Sequence, residues 1–92
     1  MEYLKELRDQ IDSIDKEMVQ LFEKRMEVVL NVAVYKMENN LPILNISREE
    51  EVIDKNTIHL KNRELEDYFK KFYINLMDLS KNYQNQYINK NI

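Results

Sequence analysis

From Leu4 the chain repeats apolar side chains at alternating intervals of three and four: Leu7, Ile11, Ile14, Met18 and Leu21, then Val28 and Val32. That spacing keeps one face of a helix apolar and predicts a first helix over about residues 4–38. At about 1.5 Å per residue it would be roughly 50 Å long. A compact chain of this size has a radius of gyration of roughly 12–13 Å, so such a rod outruns its own chain, and a partner molecule is expected along it. The stripe has one interruption: the position between Leu21 and Val28 is Arg25.

Two breaks follow. "ENNLPILN", residues 38–45, holds the only proline and three asparagines, and "HLKNRELED", residues 59–67, is a charged interval. Between them "NISREEE" opens a second helix, capped either by Ser47 with Glu50 as a capping box or by Asn45. Val52, Ile53, Asn56 and Leu60 mark its inner face, which Glu49 shares. A third helix over about 64–88 turns Leu65, Phe69, Phe72, Tyr73, Leu76, Met77 and Leu79 inward, and the same stripe becomes polar at Ser80, Tyr83 and Gln84. The Asn-rich end "NYQNQYINKNI" is expected to fray. The pattern is all-α, one domain over residues 1–92, with three helices of which the first is very long.

Composition narrows the chemistry. With no cysteine and a single histidine, His59, there is no thiolate or imidazole cluster for a metal, and with no glycine there is no phosphate-cradling loop. The net charge of −3 argues against nucleic acid or an anionic membrane as partner. No apolar run approaches the roughly 18–20 residues of a spanning helix, and "MEYLKELRDQ" is too polar for a signal peptide, so the expected compartment is the cytoplasm.

The polar residues on the inner faces then need an explanation. Arg25 and Lys36 are eleven residues apart, which leaves them about 20° from a common face and about 16 Å apart along the axis. Val28, Val29 and Val32 form an apolar floor between them. Taken singly, Arg25 reads as a cation that snorkels or pairs with a carboxylate, and Lys36 as a helix-end cation. Glu49 reads as a first-turn acid, and Ser80 and Gln84 as interhelical hydrogen bonders. Together in one small core they would be costly, because an unpaired buried polar group costs about 1–3 kcal/mol. A small anion satisfying several at once is the economical alternative. Arg8 is seventeen residues before Arg25, about 25 Å along the helix and about 100° around it. It reaches that ligand only if two such rods lie antiparallel, each giving Arg8 to the other's site.

"LRDQIDSIDKEMVQLFEKR", Lys36 eleven residues after Arg25, "SRE" after a proline-containing loop, and Ser80 with Gln84 together resemble the all-helical chorismate mutases. The resemblance covers about residues 4–87 and implies an intertwined homodimer that converts chorismate to prephenate without a cofactor, in phenylalanine and tyrosine biosynthesis. It also implies the site. Arg8 would cross from the partner, Arg25 would bind a substrate carboxylate, and Lys36 would contact the ether oxygen and a carboxylate. Arg48 would support the carboxylate side, Glu49 would take the ring hydroxyl, Ser80 would lie near a carboxylate, and Gln84 would donate to the ether oxygen. Asn45 stands where many relatives have aspartate, which implies a changed hydroxyl contact. Three rivals are an isochorismate-pyruvate lyase of similar fold, a 4-amino-4-deoxychorismate mutase, and a non-catalytic helical dimerisation or regulatory module.

Overall fold

A computed structural model describes residues 1–91. Helix α1 spans Glu2–Glu38, α2 spans Ile46–Thr57 and α3 spans Glu66–Lys90, the last preceded by a single 3₁₀ turn, Arg63–Leu65. The described residues contain no strand.

The end of α1 is fixed by asparagine in the role glycine usually takes. Asn40 sits in the left-handed region at φ 55°, and asparagine tolerates that conformation better than other residues with a side chain. The Asn40 N–H donates to the Met37 carbonyl and the Leu41 N–H to the Lys36 carbonyl at 2.8 Å. These are the two bonds of a Schellman motif. The chain then folds back, so that Lys36 Nζ donates to the Ile43 carbonyl at 3.0 Å.

Of the two caps the sequence offers α2, Asn45 is used. Its backbone is extended, at φ −140° and ψ 92°, and its Oδ1 accepts from the Arg48 N–H at 3.1 Å. Ser47 lies inside the helix, so the Ser47–Glu50 capping box does not form. Leu60, expected on the inner face of α2, lies beyond its end at Thr57. Asn62 caps the 3₁₀ turn by accepting from the Glu64 N–H, and α3 therefore begins at Glu66, two residues later than expected. The Asn-rich end stays helical as far as Lys90, with the Asn91 amide donating to the Tyr87 carbonyl.

The interior is small. Ala33 and Met77 are its buried apolar side chains, accompanied by Thr57, Ser80 and Gln84. Several residues expected inward on α3 are instead open, Phe72 at 51% and Leu79 at 54% exposure. With Leu76 they line an apolar groove of about 480 Å³ whose other wall is Met18, Val19, Leu21 and Phe22 of α1. Every residue from Met1 to Lys24 is exposed. The chain measures 55 × 27 × 15 Å, with a radius of gyration of 16.7 Å, well above the roughly 12 Å of a compact chain of this length. The physical reason is the one the pattern suggested: α1 is longer than anything in its own chain that could cover it.

Replacing Asn40 by alanine should lower unfolding stability by about 1 kcal/mol, the cost of a left-handed residue with a Cβ and no local hydrogen bond. Asn40→Gly should show no loss. Urea denaturation at one fixed protein concentration measures both.

Candidate functional site

The three helices and the α1–α2 linker line an open cavity of about 430 Å³. Its floor on α1 is Val28, Val29 and Val32, with Arg25 at one end and Lys36 at the other. Asn45, Arg48 and Glu49 enter from the linker and the first turn of α2, and Ser80 and Gln84 from α3. Seven of the eight side chains singled out in the sequence thus face one space. The eighth, Arg8, lies on the exposed N-terminal part of α1 and takes no part in the cavity within this chain.

Arg25 stands at a border, lining both the cavity and the apolar groove beside it. Its guanidinium is held from α3 in two ways. Nη1 donates to Ser80 Oγ, and the guanidinium carbon lies 5.7 Å from the centre of the Tyr73 ring, within the range of a cation–π contact. Ser80 is only 5% exposed, and its own hydroxyl donates to the Leu76 carbonyl at 2.9 Å. That donation turns the oxygen lone pairs toward Arg25. Since a guanidinium has five N–H donors, those not given to Ser80 are left for a ligand.

The other cations are held less tightly. Lys36 uses one of its three donors on the Ile43 carbonyl. Arg48 pairs with Glu51 at 2.9 Å on the solvent side of α2, with both side chains more than half exposed. A pair of that kind contributes about 0–1 kcal/mol and is easily exchanged for a ligand anion. Asn45 Oδ1 is committed to the cap, which leaves its amide N–H groups as donors, a capacity an aspartate lacks.

Gln84 is the least satisfied group. It is 7% exposed, and its Oε1 is buried with no hydrogen-bond partner. Leaving a buried acceptor unmade costs about 1–3 kcal/mol, a cost that a bound molecule or second chain can relieve.

Two cavity cations were missed in the sequence, Lys55 and Lys81. Their signal was spacing: Lys81 lies four residues after Met77 and three before Gln84, and Lys55 three after Val52, on the inward stripes. Lys81 Nζ bonds Glu49 Oε1 at 2.7 Å and Asp78 Oδ1 at 3.2 Å. The hydrogen bond it donates to Glu49, then that to Asp78, raises the Lys81 ammonium above its ordinary 10.5. The wall therefore carries five cations, Arg25, Lys36, Arg48, Lys55 and Lys81, against one carboxylate, Glu49, in a chain whose net charge is −3. Such a cavity attracts a small polyanion.

Residues 7–85 match the family model described as chorismate mutase type II. The chain belongs to that family. Among curated relatives, the T-protein of Haemophilus influenzae is 51% identical over 49 residues, 53% of this chain and 13% of the relative. The bifunctional chorismate mutase/prephenate dehydratase of Buchnera aphidicola subsp. Schizaphis graminum is 37% identical over 84 residues, 90% of this chain and 22% of the relative. A protein of the same description from Aquifex aeolicus is 42% identical over 55 residues, 60% and 15% respectively. The chain thus spans a quarter or less of the length of these relatives. No solved structure matches. Among the described residues no group of three or more His, Cys, Asp or Glu could hold a metal ion, and no helix is long and apolar enough to cross a membrane.

Because the Lys81 pKa is raised in the folded state, the stability it adds is complete below 10.5 and is lost as pH rises through the higher folded value. The difference in urea midpoint between wild type and Lys81→Met should therefore be flat over roughly pH 7–9. It should change only above 10.5.

Proposed function

We propose that this chain rearranges chorismate to prephenate. The observation that carries the reading is the concentration of five cations around one cavity of an acidic, all-helical member of the chorismate mutase type II family. The relatives named bifunctional are much longer than the match, so the mutase part of their printed name is the part proposed for this chain.

The reaction is internal to the substrate: an ether C–O bond breaks, a C–C bond forms, and no proton or electron passes to the protein. A nucleophile or an acid–base pair is not needed. What a protein can add is conformation and charge. Chorismate is a dianion whose enolpyruvyl arm must lie over its ring, and fixing both carboxylates removes the entropy of finding that shape. Arg25, held by Ser80 and Tyr73, is the proposed anchor for one carboxylate, and Arg48, released from Glu51, supports the same side. As the ether bond stretches, negative charge grows on its oxygen. Lys36 and Gln84 are the proposed donors to it, and being fixed in advance they favour the transition state over the ground state. Glu49 is the proposed acceptor for the ring hydroxyl, with the Asn45 amide beside it as a donor.

A second copy completes the proposal. The exposed stripe from Leu4 to Phe22 and the groove beneath Phe72 and Leu79 are apolar surfaces suited to each other's counterpart in a C₂ homodimer. An antiparallel pairing of the two α1 rods would carry Arg8 of each chain toward the other's cavity, where it binds the second carboxylate.

Purified protein given chorismate should release prephenate. Arg25→Ala, Lys36→Ala and Gln84→Ala should each lower kcat/KM by about 10²–10³-fold with the helical circular dichroism intact, the usual effect of losing one donor to developing charge. Salicylate from isochorismate without prephenate from chorismate would support the lyase instead. Silence toward both, with neutral or stabilising substitutions, would support a dimerisation module.

A further inference from the structure

The one carboxylate in this cavity is out of place in a site for a dianion unless something compensates it. Glu49 and Lys81 do so across the α2–α3 contact at 2.7 Å, with side chains 25% and 26% exposed. Lys81 directly follows Ser80, which holds Arg25. Two consecutive residues of α3 thus reach to different helices, Ser80 to the cation of α1 and Lys81 to the acid of α2. Lys81 engages Glu49 through Oε1. Asp78 meets the same ammonium at 3.2 Å and is itself 57% exposed.

We propose that Lys81 is a positioning residue that sets specificity: it fixes Glu49 through Oε1, leaves Oε2 to accept a hydroxyl, and cancels the charge that would repel an anionic ligand. This rests on the chorismate reading above. With Lys81 present, the Glu49 charge that faces the cavity is offset by an ammonium at 2.7 Å, and that corner selects a hydroxyl donor. Without it, the corner is a mobile anion beside a dianionic ligand. The hydroxyl sits on the ring carbon next to the breaking ether bond but makes and breaks no bond itself, so its contact with Glu49 is present in both the ground and transition states, and Lys81 acts mainly on binding.

The test is a double-mutant cycle on chorismate turnover, with wild type, Lys81→Met, Glu49→Gln and the pair, and with Lys81→Arg as the conservative variant. Lys81→Met should raise KM roughly tenfold, a coupling in the range of contacting charged pairs, with kcat within about twofold, the signature of lost uniform binding. In the Glu49→Gln background, where the carboxylate lining the cavity is gone and only the more exposed Asp78 still meets Lys81, Lys81→Met should change KM by less than about twofold. Lys81→Arg should restore most of the wild-type KM while leaving kcat where it was. Equal effects of Lys81→Met with and without Glu49, a loss confined to kcat, or an unchanged KM would each overturn the assignment while leaving chorismate turnover standing. A wild-type protein that does not turn over chorismate would overturn both.

Discussion

The N-terminal part of α1 carries apolar side chains from Leu4 to Phe22 that stay exposed among the described residues, because α3, the longest helix available to flank it, has 25 residues against its 37. Burying such a stripe is the largest stabilisation left to the molecule, since each fully buried large aliphatic or aromatic side chain contributes about 1.5–3 kcal/mol. The proposed second copy follows from that constraint, and so does the proposed role of Arg8. A cation about 25 Å along the rod from Arg25 cannot serve the same small molecule within one chain, yet it lies on the surface the proposed pairing would bury. Burial of the stripe and completion of the proposed site then have one cause.

The other half of α1 behaves differently because its neighbours are polar. Past Arg25 the stripe passes from the open apolar groove to the cationic cavity, with Val28, Val29 and Val32 as its floor. Local structure sets each functional group in place. The left-handed Asn40 turns the chain so that the Ile43 carbonyl meets Lys36, the Asn45 cap starts α2 where Arg48 and Glu49 fall in its first turn, and a single turn of α3 supplies Ser80, Lys81 and Gln84. Only the last of these depends on packing between helices.

That division explains what was legible in the sequence. The long helix, the two breaks and the convergence of Arg25, Lys36, Asn45, Arg48, Glu49, Ser80 and Gln84 on one cavity follow from periodicity, proline and asparagine placement, and family resemblance. Lys81 was not singled out because its worth depends on an acid from another helix: on the α3 stripe alone, a lysine after Ser80 reads as a solvated side chain. Phe72 and Leu79 fall on an inward stripe yet are open, because a stripe reports that a face is apolar and not which molecule covers it. The start of α2 was undecided between Ser47 and Asn45 because both side chains cap well. The extended backbone at Asn45 and the bond its side chain accepts from the Arg48 N–H distinguish them.

The most direct measurement is complementation between two damaged chains. Arg8→Ala and Arg25→Ala proteins, each nearly inactive on chorismate alone, are unfolded, mixed and refolded, and mass spectrometry verifies the mixed dimers. If the rods pair so that each lends Arg8 to the other's cavity, every mixed dimer holds one intact site and prephenate formation returns. Verified mixed dimers as inactive as their parents, or a monomer with full turnover, would contradict it.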